Sequence, residues 1–592
     1  MAEKVVNRLS FKIGGEAGQG VESSGAGFAK ALARGGLYIF AYQDYMSRIR
    51  GGHNFFQIRV AERPLYSHTD EIELLLALTT EAVEKHLPEL SPGGGVICDE
   101  ELKLEEGSLA EREDIKLFRL PLGKIALEEG GSKVMANTAA LGAAAGITNY
   151  RLEHLESVIE DNFKVKGPQI VQANLAVVRA AYEYAQQRYA ADFRYELKEL
   201  VAPPKRLVLS GNGAICLGAV AAGCKFLAAY PMTPTTGILE WFAAHASDLG
   251  LVFKQTEDEI AAITMAIGAA HMGLRAMCAT SGGGFSLMVE ALGLAGMTET
   301  PIVIVEGQRP GPSTGLPTKT EQGDLLFVLH TSQGEFPRIV LTPGTVEEAF
   351  SAGAEAFNLA ERYQCPVIIL TDHFLATSLR TVEPDRLKLE EVEIDRGEFL
   401  TPEELDKITD YKRFRFTESG ISPRALPGHP NGVYVATGDE HAEDGRITEE
   451  PELRRRMVEK RMKKLEPARR ELPPPEVFGP GPEGAELTFV TWGSTWGPLR
   501  EAVERLNSAG EHANMLHFPA IWPFPEGVAE ALKKAKRLIA VEGNYSGQLA
   551  QLIRQETGIE VDGLITKYDG MPLSPGYILG KLRQLEGVKA HA

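Results

Sequence analysis

Apolar runs closed by glycine and followed by stretches of helical period recur along the chain, and each recurrence predicts a strand, a turn and a helix. The first is VVNRLSFKIGGEAGQGVESSGAGFAKALARGG, with a turn at Gly14, Gly15, Gly18 and Gly20 and a helix from about Val21 to Ala33. LYIFAY and residues 73–79 and 95–99 predict further strands, and 168–191 a helix. Strands alternating with helices predict a parallel sheet covered on both faces. VAPPKR at 201–206 interrupts the pattern, because paired prolines end a helix and cannot join a sheet ladder. The pattern restarts with RLVLSGNGAICLGAVAAGCKFLAAYP and continues in strands at 276–279, 301–306, 337–341 and 366–371. From Glu486 a third unit begins, with strands LTFVTW and RLIAVEG around a helix at 498–509. The expected architecture is α/β and multidomain: 1–200, 205–380, a charge-rich insert at 381–484, and 485–592.

Charge and composition narrow the function. A net charge of −19 argues against nucleic acid or an anionic membrane as the main partner. Apolar residues at 44% and charged residues at 24% describe a folded chain rather than a disordered one. No apolar run reaches the ~18 residues of a membrane span, and MAEKVVNRLS lacks the apolar core of a signal peptide. The five cysteines, Cys98, Cys216, Cys224, Cys278 and Cys365, form no C-x-x-C and no metal-ligand cluster, so buried thiols and a cytoplasmic location are expected, with no metal site. In the insert, RRRMVEKRMKKLEPARR predicts either a solvated helix with internal Glu–Lys/Arg pairs or a surface for an acidic partner or phosphorylated cofactor.

Four segments carry candidate chemistry. Gly15, Gly18 and Gly20 form G-x-x-G-x-G, which is not the dinucleotide fingerprint; with Asp44 placed to meet a ribose, a nicotinamide site stands beside a turn facing a phosphate or a partner chain. AAYPMTPTTG at 228–237 sets Thr233, Thr235 and Thr236 at a strand's C-terminal end, where open α/β sheets bind ligands, or is a plain turn with a threonine cap. In FKQTEDEIAAITMAIGAAHMG, residues 260–271 have almost no polar face and predict a helix buried all round. Glu259 at its start is either catalytic or the return arm of a Thr256-x-x-Glu259 capping box. Finally, Gly282, Gly283 and Gly284 open a helix after a strand, the next strand delivers Glu306, Gln308 and Arg309, and the loop beyond carries Lys319, Glu321 and Asp324.

Together these segments resemble the α subunit of the 2-oxoacid:ferredoxin oxidoreductases, in the form with the γ region fused ahead of it. YPMTPTT at 230–236 is similar to that family's YPITPSS, and QTEDEIAAITMAIGAA, GPSTGLPTKTEQGDL and GEAGQGVESSG fit in order over nearly the whole chain. The resemblance implies a γ-type α/β domain at 1–200, a thiamine-diphosphate pyrimidine-binding-type domain at 205–380 and a transketolase C-terminal-like domain at 485–592. It implies oxidative decarboxylation of a 2-oxoacid with coenzyme A, electrons passing to ferredoxin, with 2-oxoglutarate preferred over pyruvate or a broad range. A nicotinamide-binding dehydrogenase is the rival. The chain has no GDG and no clustered cysteines, so Mg2+ and a [4Fe-4S] cluster are expected on a β subunit that shares the thiamine diphosphate, in a heterodimer or a dimer of heterodimers.

Carried onto this sequence, the resemblance implies Glu259 as the catalytic partner of the aminopyrimidine, with Glu257 in reserve. It implies Thr233, Arg309 and Lys319 for the substrate carboxylate, and Tyr230, Pro231, Gly282, Gly283, Gly18 and Gly20 for cofactor contacts. The loop reads LPTK where relatives often have LPTR, a point charge in place of a bidentate fork. Arg48, Arg50 and His53 of the RIRGGH stretch are candidates for coenzyme A or interface contacts, or belong to a surface loop with local salt bridges.

Overall fold

The computed structural model describes residues 3–48, 51–104 and 112–589, which fall into two units. The first comprises Met1–Leu209, Ser378–Arg386 and Ser574–Gly576. Its eight-stranded sheet runs, in spatial order, Lys116–Leu120, Leu90–Asp99, Ile72–Ala77, Leu9–Glu16, His53–Ala61, Tyr38–Asp44, Leu379–Val382 and Leu207–Leu209. The first four are parallel neighbours, as the alternation of strands and helices predicts. The other half is antiparallel, which corrects the expectation of a parallel sheet throughout. The physical reason is the connection between Tyr38–Asp44 and His53–Ala61. It is too short for the dozen or more residues that a parallel crossover needs, and Gly51 and Gly52 turn it back at φ 72° and 82°.

Leu207–Leu209, expected to open the second block, instead pairs antiparallel with Leu379–Val382. The chain therefore leaves this unit and returns to it along neighbouring strands. Helices Val21–Arg34, Ala136–Ile147, Leu152–Phe163 and Pro168–Tyr189 bury Phe11, Phe28, Tyr150 and Phe193 with the sheet. Gly142 and Gly146 let two of those helices touch backbone to backbone, since a Cβ on either would lie 2.4 Å from a carbonyl oxygen of the facing helix.

The second unit holds Ser210–Thr377, Leu387–Leu573 and Tyr577–Ala592. Its seven-stranded sheet runs Val252–Gln255, Phe226–Ala229, Ala276–Thr280, Ile302–Gln308, Pro366–Asp372, Ile339–Leu341 and Ala520–Trp522, parallel except for the last. Strand Ile302–Gln308 is buried at every residue, which is why it opens as the apolar run IVIV, and its buried Glu306 and Gln308 stand out against that run. A five-stranded sheet, Glu476–Phe478, Ala513–Phe518, Leu487–Trp492, Leu538–Glu542 and Gly563–Thr566, shares one continuous core with it through Val490, Trp492 and Phe518.

Residues 387–484 pack into this unit by burying charge. Lys460 and Lys464, on the predicted basic helix, are both buried against Glu299, with Lys460 Nζ 2.6 and 2.9 Å from its two oxygens. The solvated-helix expectation holds for Arg455, which pairs with Glu452 and Glu459, and fails for the face carrying Lys460, Arg461 and Lys464. A buried carboxylate needs cations, and that requirement overrides the preference of lysine for water. Nearby, Glu361 is enclosed by Arg275, Arg396 and Arg424 at 2.8–2.9 Å.

Glu299→Gln should destabilise the protein by ~3–5 kcal/mol in chemical denaturation, the scale for stripping one member from a buried ion pair. Burial holds the Lys460 pKa at about 7 even beside Glu299. Without that carboxylate the folded state binds fewer protons than the unfolded chain up to the ordinary lysine value of ~10.4. The variant's stability should therefore rise with pH across that window, and its deficit against the wild type should narrow as pH rises toward about 7, below which wild-type Lys460 stays charged; a deficit constant below that pH would contradict the pairing.

Candidate functional site

Six parallel strands of the second unit end at one edge of its sheet, where the loops of an open α/β fold gather their ligands. The turn after Phe226–Ala229 exposes Tyr230 and Pro231 and half-buries Thr233. It is held from two sides: Asn212 Nδ2 donates to Pro234 O at 2.8 Å, and Arg309 Nη1 donates to Thr233 O at 2.9 Å. Gly307 permits this seating, because a Cβ there would lie 2.8 Å from both Pro234 and Thr235. Thr233 and Arg309, singled out separately in the sequence, are thus brought together.

Glu259 is the first residue of helix Glu259–His271, and the capping box expected for it does not form. Asp258 caps the helix instead, accepting from Ala261 N–H at 2.7 Å, while the Thr256 hydroxyl donates to Asp258 O at 2.8 Å. Asp258 is better placed because its short side chain reaches the third N–H directly from an extended backbone. The Glu259 carboxyl is released from capping, yet it is only 4% exposed, and its Oε1 has no hydrogen-bond partner among the described residues. Gly284 makes its place: a Cβ there would lie 2.7 Å from Glu259 Oε1 and 2.1 Å from Thr280 Oγ1. Glu257 is exposed beside it.

The same helix is not buried all round. Ile260 is 49% and Met265 42% exposed, and Leu287 on the adjoining helix Gly282–Met297 is 51% exposed. The sequence demanded cover for these apolar side chains, and this chain supplies it on one face only.

Gly282 abuts a carboxyl, since a Cβ there would lie 2.5 Å from Asp324 Oδ2, whereas Gly283 is exposed. Asp324 in turn faces Glu306, which is fully buried and receives no hydrogen bond from any described donor on either oxygen. Burial, reinforced by Asp324, pushes the Glu306 pKa well above the carboxylate range. Burial also raises Asp324 to about 6, and burial together with Asp324 raises Glu321 to about 7. Glu306, Glu321 and Asp324 are visible in the sequence as charges at this edge, but nothing in their spacing shows that they share one cluster, Glu306 buried and the other two half-buried.

Gln322 is a residue that sequence reasoning missed. Its side chain accepts from Gly543 N–H and the Thr495 hydroxyl, both at 2.8 Å, and donates to Trp492 O at 3.0 Å, tying the 310–324 loop to the five-stranded sheet. Lys319, half-buried on that loop, packs over Gly570.

The remaining candidates lie in the first unit. Gly18 and Gly20 adopt φ 94° and 72° ahead of helix Val21–Arg34, and Arg48 is exposed. Arg50 lies outside the described residues. His53 is not a surface-loop residue: it is buried, and its Nε2 meets His86 Nε2 at 2.7 Å. It starts a strand whose residues Phe56, Ile58 and Val60 face the main core, and with Phe55 it points to the opposite face, where His86 of helix Thr80–His86 covers it; burial and then His86 lower its pKa to about 4. All five cysteines are buried, and burial raises Cys98 to about 11 and Cys224, Cys278 and Cys365 to about 12. Among the described residues no helix is long and apolar enough to cross a membrane.

Comparison with known proteins bears on this edge directly. Residues 217–460 match the family model for the pyruvate flavodoxin/ferredoxin oxidoreductase thiamine-diphosphate-binding region. Residues 10–184 match the pyruvate ferredoxin/flavodoxin oxidoreductase model, and 485–575 match pyruvate:ferredoxin oxidoreductase core domain II. A 2-oxoacid:ferredoxin oxidoreductase α subunit from a Sulfolobus species is 36% identical over 95% of both chains. The 2-oxoglutarate oxidoreductase subunit KorA of Mycobacterium tuberculosis is 33% identical over 96% of this chain and 90% of its own. Among solved structures, the 2-oxoglutarate:ferredoxin oxidoreductase of Magnetococcus marinus, with 2-oxoglutarate, coenzyme A and succinyl-CoA bound, superposes with a TM-score of 0.89 at 34% identity, covering 98% of this chain and 99% of that one. A likeness that runs from end to end, and includes the edge where Thr233, Glu259 and Arg309 gather, places this chain in the 2-oxoacid:ferredoxin oxidoreductase α-subunit family.

Proposed function

We propose that this chain is the α subunit of a thiamine-diphosphate-dependent enzyme that converts 2-oxoglutarate and coenzyme A to the acyl-CoA and carbon dioxide, passing two electrons to ferredoxin. The observation that carries the proposal is Glu259, a buried carboxyl at a helix start, relieved of capping by Asp258 and lacking an internal partner for Oε1. Burying such a group unsatisfied costs about 1–3 kcal/mol or more, so an external donor is the natural occupant of the space before it. A ring nitrogen of the aminopyrimidine would fit that role in its protonated form, its N–H donating to Oε1. Tyr230, Pro231 and Gly283 are exposed and Gly282 half-buried at this edge, with glycines that allow close backbone approach. Bound there, the cofactor supplies the electron sink for carbon–carbon cleavage.

The chain's own contribution is to bind, orient and shield. Arg309 and Thr233, already linked, anchor the 2-oxoacid carboxylate, and Lys319 adds positive charge from the loop. Gln322 fixes that loop, so the anchors sit on a rigid frame. Gly18 and Gly20 in the first unit provide open backbone for coenzyme A. A β subunit is the proposed cover for Ile260, Met265 and Leu287, and the proposed holder of Mg2+, the [4Fe-4S] cluster and the ferredoxin docking surface. 2-Oxoglutarate is favoured over pyruvate because the KorA relative and the Magnetococcus structure carry that substrate in their descriptions.

Glu259→Gln in the assembled enzyme should lower 2-oxoacid- and CoA-dependent reduction of a one-electron dye by ~10²–10⁴-fold, the range for loss of a positioned proton-transfer group. Near-normal turnover with intact assembly would remove Glu259 from the mechanism. Gly284→Ala should act on the same carboxyl from behind, costing about 1–3 kcal/mol of stability through overpacking and lowering turnover at least ~10-fold, since an ångström of misplacement costs about 10²-fold. Steady-state profiling across 2-oxoglutarate, 2-oxobutyrate and pyruvate should give the highest kcat/KM with 2-oxoglutarate; equal values would replace that assignment with broad specificity.

A further inference from the structure

We propose that Glu306 and Asp324 form a carboxyl pair holding a single shared proton, and that this pair positions Arg309 for the substrate carboxylate. The inference deepens the functional reading above and rests on its assignment of Arg309 as the anchor. Glu306 lies near the C-terminal end of a strand whose every residue is buried, opposite Thr280 in the neighbouring strand. Neither of its oxygens has a donor among the described residues, and the group it faces is another carboxyl. Asp324 cannot move away. Its backbone N–H donates to Gln308 Oε1 at 3.0 Å, Gln308 Nε2 donates to Thr371 O at 3.1 Å, and Gly282 closes the space beside Oδ2.

Glu306 is wholly buried and Asp324 half-buried beside it, so two negative charges there are disfavoured, and one proton between them gives each an acceptable partner. The other charges facing the pair are Arg309, Asp372 at the end of strand Pro366–Asp372, and Glu321 on the loop. Asp372 is engaged elsewhere: its Oδ1 accepts from Leu375 N–H at 3.0 Å. Among the described residues Arg309 is the cation that acts on both members, and it is committed through Nη1 to Thr233 O.

The charge count then explains the arrangement. With one proton the pair carries a single negative charge, which balances the guanidinium and holds it at the Thr233 turn. With two charges the pair would repel an incoming carboxylate; with none, a half-buried arginine would lose its counter-charge and its orientation. The pair touches neither substrate nor cofactor in this account, so it is a positioning element, and its signature is a change in KM rather than in kcat.

The test uses the enzyme assembled with its partner subunit. The wild type minus Glu306→Gln infrared difference spectrum at neutral pH should contain a protonated-carboxyl C=O band. Asp324→Asn should raise KM for 2-oxoglutarate about tenfold with kcat within threefold. Glu306→Ala should raise KM similarly, and Glu306→Gln, which still donates to Asp324, should recover most of that loss. Arg309→Lys should raise KM as well. If Arg309→Lys raises KM while Asp324→Asn does not, or if the infrared band is absent, the pair is overturned and the anchor stands. An unchanged KM in Arg309→Lys overturns both. A fall in kcat matching the rise in KM for Asp324→Asn reduces the pair to a structural role and also overturns the proposal.

Discussion

A carboxylate buried without a partner is an unstable arrangement, and the second unit is organised around maintaining one at Glu259. Three separate features keep it in place. Asp258 takes the N-cap, so Glu259 is not drawn back to its own backbone. Gly284 leaves the volume that the carboxyl occupies. The strands Phe226–Ala229, Ala276–Thr280 and Ile302–Gln308 end together and deliver the Thr233 turn, the glycine-rich helix start and Arg309 to the same edge. None of these features satisfies Oε1. The site is therefore incomplete by construction, and the free energy to hold it so must come from packing elsewhere.

Much of that packing comes from the charge-rich segment 387–484. Its basic residues, which composition alone suggests are solvated, close over Glu299, Glu361 and Glu440. Arg413 links two of these neighbourhoods, donating to Glu299 O at 2.7 Å and to Gln364 Oε1 at 2.9 Å. The segment has little regular structure because its geometry is set by side-chain ion pairs rather than by a backbone ladder. It reads as a linker in sequence and behaves as a clamp in the fold.

What the sequence made legible follows from the range of each interaction. Local patterns were enough for the strand, turn and helix of each βα unit, for the helix ending in His271, and for the gathering of Thr233, Glu259 and Arg309 at strand ends. The strand His53–Ala61 was also within reach, since Phe56, Ile58 and Val60 alternate, but the neighbouring glycines drew attention to the turn. Other features depend on partners far away in the chain. Nothing near Leu207–Leu209 announces its pairing with Leu379–Val382, and nothing in a run of lysines and arginines announces Glu299, 161 residues from Lys460. Asp258 and Glu259 compete for the same cap within one residue, and which one wins depends on backbone geometry that a motif does not encode.

The buried carboxyls sort into two groups, and the division separates structural from functional residues. Glu299 and Glu440 are enclosed by cations that hold their pKa values below the ordinary carboxylate range, Glu440 at about 2. Glu306, buried, and Glu321, half-buried, lack such partners and are pushed the other way, Glu321 to about 7. The first group lies where the charge-rich segment grips the fold; the second lies with Arg309 and Asp324 at the strand ends. A chain that had cations to spare for Glu299, Glu361 and Glu440, and yet left Glu259 Oε1 and both Glu306 oxygens without donors among the described residues, has kept acceptor capacity at one edge of one sheet. The exposed apolar faces of the two helices beginning at Glu259 and Gly282 mark where the missing cover belongs. Unsatisfied polar atoms and uncovered apolar side chains thus meet at the same place, and the ligand and the partner proposed above would meet both requirements together.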